Sequence, residues 1–115
     1  MAYSGKVAVI TGGGRGFGKA FGAALAAENA HVVLVDRDGE AAEQAAADIR
    51  AAGGLATSLS GDVTDEARMA EVMEAAAAIW GGVDILINNA GLHSDEYGQP
   101  ITKMGLAKVK RLFDV

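Results

Sequence analysis

Five glycines fall between Gly12 and Gly18, with only Arg15 and Phe17 among them, just after the apolar run Val7–Ile10. Glycine reaches backbone conformations closed to other residues and lets a backbone press against a neighbour. Where such a loop opens a helix, the free N–H groups of the first turn and the positive dipole end attract an anion such as a diphosphate. Two phosphate chemistries compete for this stretch. Gly13-x-x-x-x-Gly18-Lys19 follows a P-loop until its last position, where Ala20 stands in place of the Ser or Thr that would bind Mg²⁺. The alternative is dinucleotide binding. The strict G-x-G-x-x-G is absent, and T-G-x-x-x-G-x-G runs from Thr11 to Gly18 in its place.

Asp36 separates the two readings. It closes the apolar run His31–Asp36, eighteen positions after Gly18, where a dinucleotide site places an acid to accept from the adenosine ribose hydroxyls. A carboxylate there repels a 2′-phosphate, a like-charge contact that costs several kcal/mol, so NAD is favoured over NADP. Arg15 and Arg37 work against that preference, since either guanidinium can neutralise a 2′-phosphate.

These residues need a frame to position them. Lys6–Ile10, His31–Asp36, Leu55–Asp62 and Val83–Ala90 read as strands. The second and fourth are nearly continuous apolar runs, as in strands covered on both faces. Gly16–Glu28, Gly39–Ala52 and Asp65–Trp80 read as helices; Gly53–Gly54 stops the second, and Thr64 or Asp65 can cap the third. A fourth helix is expected from about Ile101. This alternation calls for a doubly wound α/β fold, a parallel sheet of strand order 3-2-1-4 with right-handed crossovers. The Met69 and Met73 pair has core spacing; His31 reads as the opening residue of a strand and Trp80 as a packing anchor at a helix end.

Composition narrows the functional classes. The chain has 115 residues, enough for one domain, and a net charge of −5, which argues against nucleic-acid binding. The basic stretch holding Lys103, Lys108, Lys110 and Arg111 reads as a solvated helix face. With no cysteine, thiol chemistry and disulfides are excluded. No apolar run is long enough to span a bilayer, so a soluble, cytoplasmic protein without membrane or nucleic-acid partners is the expectation.

Taken together, Thr11–Gly18, Asp36, Gly61-Asp62-Val63 and Asn88-Asn89-Ala90-Gly91 resemble, in order and spacing, the short-chain dehydrogenases/reductases. The resemblance implies a Rossmann-type NAD(P)-binding domain over 1–115, the N-terminal portion of a single-domain dehydrogenase, and a homo-oligomer. It implies that Gly12, Gly14, Arg15, Gly16, Phe17 and Gly18 surround the diphosphate and adenosine ribose, with Asp36 and Arg37 beside that ribose. Asp62 would accept from the adenine amino group next to the Val63 backbone, and Asn89, Ala90 and Gly91 would line the nicotinamide-side ribose. Asn88 is expected to tie strands together.

The same resemblance implies hydride transfer between a nicotinamide cofactor and a small alcohol or carbonyl substrate, with a Tyr-x-x-x-Lys pair handling the proton beside a serine and an asparagine. No such pair occurs: four positions after Tyr3 and Tyr97 stand Val7 and Ile101. The expectation is that all four catalytic positions lie past Val115, so that these residues hold the cofactor and carry no catalytic group. The alternative is a catalytically inert dinucleotide-binding module. The run His93-Ser94-Asp95-Glu96 cannot form a catalytic triad from consecutive residues and reads as a loop at the substrate mouth; no metal site is expected.

Overall fold

The structure is a computed structural model that describes residues 3–89. Its elements are β1 (Val7–Thr11), α1 (Gly16–Ala27), β2 (His31–Asp36), α2 (Gly39–Ala51), β3 (Leu55–Ser60), α3 (Glu66–Trp80) and β4 (Ile85–Asn88). The strands form one parallel sheet in the order β3-β2-β1-β4. The expected doubly wound topology is therefore present.

Strand alternation divides the core into two layers. Ala8, Ile10, Val32 and Leu34 face α1 and α2, where they meet Ala26, Ala42, Ala45, Ala46 and Ile49. Val7, Val9, Val33 and Val35 face α3 and meet Val72 and Ala76, with Met69 and Met73 packed alongside. The alanines let the helices lie close to the sheet, so β1 and the centre of β2 are buried on both faces.

Several boundaries differ from the sequence expectation, those of the strands where a polar group takes over from the ladder and those of the helices where a cap or a left-handed residue ends them. β1 runs one residue later, from Val7 to Thr11, and its first N–H donates to Asp84 Oδ2 at 2.9 Å. That contact, with Asp84 N–H donating to Val7 O at 2.9 Å, occupies Asp84, so β4 starts at Ile85 instead of Val83. β3 stops at Ser60: Gly61 N–H still bonds to Asp36 O, but Asp62 turns its carboxylate onto Thr64 N–H. α1 ends at Ala27 and the chain leaves it through Asn29 in the left-handed region, at φ 71°. α2 ends at Ala51, and Gly53 (φ 94°) and Gly54 return their N–H groups to Arg50 O and Ile49 O. Asp65 caps α3, which begins at Glu66. Trp80, 44% exposed, meets His31 edge-on with ring centroids 5.4 Å apart. The fourth helix, the basic stretch near its end, the loop His93–Glu96, and Ala90 and Gly91 lie outside the described residues.

Among the described residues no helix is long and apolar enough to cross a membrane. A cavity of about 280 Å³ lies between α1 and α2, bordered by Ala26, Asn29, Ile49 and Gly53. Asn29, Gly53 and Gly54, just before β2 and β3, line it, and Gly12–Gly18, Asp36 and Asp62 take no part in it.

Candidate functional site

All strands run the same way, so their carboxyl ends gather the loop after β1, the turn after β2 and the residue after β4. Thr11 ends β1, and Gly12 turns the chain with φ 64°. Gly14 and Arg15 follow, then α1 starts at Gly16, also at positive φ (57°). Gly16, Phe17 and Gly18 thus form the first helical turn. Phe17 is 64% exposed, so the backbone here carries the local geometry and not the ring.

Gly13, Gly14 and Gly18 are demanded by the protein itself, the last two against backbone. A Cβ at Gly18 would stand 2.1 Å from Gly12 O, and one at Gly14 would stand 2.8 Å from the Ala41 and Ala42 backbone. Their hydrogens allow α1 to close on β1 and the loop to close on α2. The spacing of the motif therefore encodes packing as well as ligand access.

The α1 N-terminus differs from the other two. Asp38 caps α2 and Asp65 caps α3, each with a glutamate in the first turn. α1 has Arg15 at its N-cap, no side-chain cap and no acid in its first turn. Its dipole end and N–H groups are aimed at the shared strand edge without a carboxylate of their own, a disposition that suits an anion.

Asp36 sits beside this turn. Its Oδ2 accepts from Gly14 N–H at 3.0 Å and its Oδ1 accepts from Asp38 N–H at 3.0 Å. Each carboxylate oxygen has further lone-pair capacity, so the group can fix the loop and still accept from a hydroxyl. Asp38 extends the contact: its Oδ1 accepts from Ala41 N–H at 3.1 Å, and its Oδ2 lies 2.7 Å from Arg15 Nη2. Sequence reasoning passed over Asp38 as a site residue. The signal was its place directly before the helical run from Gly39, where an aspartate reads as a cap.

The third acid, Asp62, accepts from both Thr64 N–H and Thr64 Oγ1 through Oδ1, at 2.9 and 2.8 Å. These bonds, the backbone one first, hold its carboxyl below the usual aspartate range, and the Arg37 charge adds to them. Val63 is half-buried in the same turn.

Past β4, Thr11 joins two asparagines. Its hydroxyl donates to Asn88 Oδ1 at 2.9 Å and accepts from Asn89 N–H at 2.9 Å. Asn89 is fully buried and donates through Nδ2 to Gly12 O at 3.2 Å, so its side chain braces the glycine turn. Asn89 Oδ1 is buried and has no hydrogen-bond partner among the described residues. A buried acceptor left open in this way fits a donor from a bound polar ligand.

Lys19 bears on the P-loop alternative. In that chemistry it would reach back over the phosphates, but here its Nζ lies 3.2 Å from Asp48 Oδ2 on α2. Among the described residues there is no group of three His, Asp or Glu side chains able to hold a metal ion.

Comparison with known proteins agrees with this arrangement. The chain matches the short chain dehydrogenase family over residues 6–115. It is 38% identical to a sorbitol dehydrogenase of Cereibacter sphaeroides over 115 residues, all of this chain and 43% of that protein. Identity is 39% with a galactitol 2-dehydrogenase of Agrobacterium fabrum, again over the whole chain and 43% of the relative. A citronellol catabolism dehydrogenase of Pseudomonas aeruginosa PAO1 superposes with a TM-score of 0.72 at 34% identity, over 75% of this chain and 36% of that one. The chain spans less than half the length of these relatives.

Proposed function

Since the chain belongs to the short-chain dehydrogenase family, we propose that it holds the adenosine and diphosphate half of an NAD site in an oxidoreductase acting on a small alcohol or carbonyl. The observation that carries this reading is Asp36. It is anchored to the glycine loop through Gly14 N–H, next to the helix N-terminus that has no cap of its own. Diphosphate oxygens would take the N–H groups of the α1 first turn. Ribose hydroxyls would donate to the remaining lone pairs of Asp36, adenine would lie by Asp62 and Val63, and Arg37 would border the ribose.

When bound, a nicotinamide cofactor supplies or takes a hydride. The residues of this chain bind and orient it. The chain covers 43% of the sorbitol and galactitol dehydrogenases it resembles and itself contains no Tyr-x-x-x-Lys; in this reading the proton-handling groups belong to the part of the protein outside these residues. We thus read residues 1–115 as the N-terminal portion of a single-domain dehydrogenase, working as a cytoplasmic homo-oligomer. Ala90 and Gly91 belong with Asn89 to the nicotinamide-side ribose in this reading.

NAD is the cofactor we favour, because Asp36 opposes a 2′-phosphate. The names of the relatives make acyclic polyols the first substrates to try. The test is NAD reduction by the full-length protein on a panel of polyols and secondary alcohols, with NADH binding followed by its fluorescence. Turnover with NAD supports the reading. NADH binding without turnover would instead favour an inert dinucleotide-binding module, and absence of binding to either nicotinamide cofactor would overturn the site.

A further inference from the structure

The strand edge carries two arginines close to Asp36, at positions 15 and 37, and each has the chemistry to grip a phosphate through paired N–H donors. Arg15 is not held at random. Its Nη2 lies 2.7 Å from Asp38 Oδ2. Asp38 is itself fixed at two further points: Oδ1 caps α2 through Ala41 N–H, and its own N–H donates to Asp36 Oδ1. Its carbonyl oxygen also accepts from Ala42 N–H at 3.2 Å. The carboxylate that receives Arg15 is therefore set by the helix start and by the same acid that would meet the ribose. Arg15 and Asp38 side chains are 63% and 50% exposed. A pair so wet contributes little to stability, and its consequence lies in where the guanidinium is held.

We propose that Asp38 is a specificity-determining positioning residue, which keeps Arg15 paired and so withholds it from a 2′-phosphate beside Asp36. The inference rests on the dinucleotide reading above and goes beyond it, because Asp36 alone would leave an arginine next to the ribose free to accept NADP. Two acids then share the discrimination: Asp36 opposes the phosphate directly, and Asp38 removes the cation that would offset that opposition. Arg37 lies within the field of Asp62.

Asp38→Asn isolates the charge, because asparagine caps a helix as well as aspartate does. Asp38→Ser, which also keeps a capping oxygen, is the second variant should the first fold poorly. In the full-length protein, dissociation constants for NADH and NADPH are read from nicotinamide fluorescence. Those for ADP and adenosine 2′,5′-bisphosphate come from calorimetry, so that no turnover is needed. Either variant is expected to shift the NADPH-to-NADH affinity ratio about threefold to fivefold toward NADPH, the upper range for releasing an exposed ion pair. The bisphosphate-to-ADP ratio should shift with it. Adding Arg15→Ala should abolish both gains.

An unchanged ratio in folded Asp38→Asn and Asp38→Ser overturns the inference while NADH binding stands. A gain that survives Arg15→Ala overturns it as well, since some other group then takes the phosphate. An unmutated protein that already prefers NADPH has the same consequence, since the discrimination assigned to Asp36 and Asp38 is then absent. If the unmutated protein binds none of the four ligands, the dinucleotide reading itself fails, and that is seen before any substitution is made.

Discussion

Asp36 and Gly18 show how one residue can serve the fold and the site together. Asp36→Ala removes the acceptor of Gly14 N–H along with the proposed acceptor of the ribose hydroxyls. Hydrogen bonds to charged groups are worth roughly 1.5–3 kcal/mol, so NADH affinity should fall by about tenfold or more, and its advantage over NADPH should narrow. Titration of nicotinamide fluorescence checks this, and an unchanged preference removes Asp36 from the discrimination. Gly18→Ala tests the other role. Its Cβ would meet Gly12 O at 2.1 Å, and because the backbone fixes a Cβ and the atom it meets is a backbone oxygen, no rotamer relieves it. The loss should be on the order of 3 kcal/mol, at the upper end for overpacking, measured by urea denaturation. Both residues were legible in the sequence, since glycine spacing and a strand-ending acid are local patterns. Their partners were not. Gly14 and Asp36 are separated by 22 positions, and Arg15 and Asp38 by 23, and only the parallel pairing of β1 with β2 brings them together.

Elements were readable where apolar pattern and breaker residues agree, and misread where a polar side chain ends a ladder early. His31–Asp36 appears with its expected limits, because Val32–Val35 are all buried and the strand needs both faces covered. Leu55–Asp62 was read two residues too long. Pattern alone gives no sign that Asp62 will fold back onto Thr64 instead of continuing beside β2. Of the two candidate caps for the third helix, Thr64 and Asp65, the structure selects Asp65, whose Oδ1 accepts from Arg68 N–H at 3.0 Å. Asp65→Ala should therefore cost about 1 kcal/mol, with Asp65→Asn nearly neutral. Thr64→Ala should not unfray α3, because Thr64 bonds to Asp62 and not to the helix. Thermal melts of the three variants distinguish the assignments, and equal losses for Asp65→Ala and Asp65→Asn would remove Asp65 from the cap.

At the scale of the whole molecule, two groups of titrating side chains among the described residues bear on the response to acid, and both act in the same direction. His31 opens β2, with Nε2 2.9 Å from Thr57 Oγ1 and the Trp80 ring edge-on. Burial lowers its pKa from the ordinary value near 6.5. Above that value the ring is neutral in folded and unfolded chains alike and full stability is present. As pH falls below about 6.5 the unfolded chain binds a proton first, and stability declines until the folded pKa has been passed. Glu43, Asp48 and Asp62 also have lowered pKa values, through Ser58 and Arg50, through Lys19 and Gln44, and through Thr64 respectively. Their contributions are complete above the ordinary carboxylate range near 4 and are lost as pH falls through their lower folded values. Stability should thus decline in two stages, one beginning near pH 6.5 and one below about pH 4. Urea denaturation at a series of pH values reads both stages. His31→Gln should flatten the first and leave the second in place, whereas an undiminished first stage in that variant would assign it to a group other than His31.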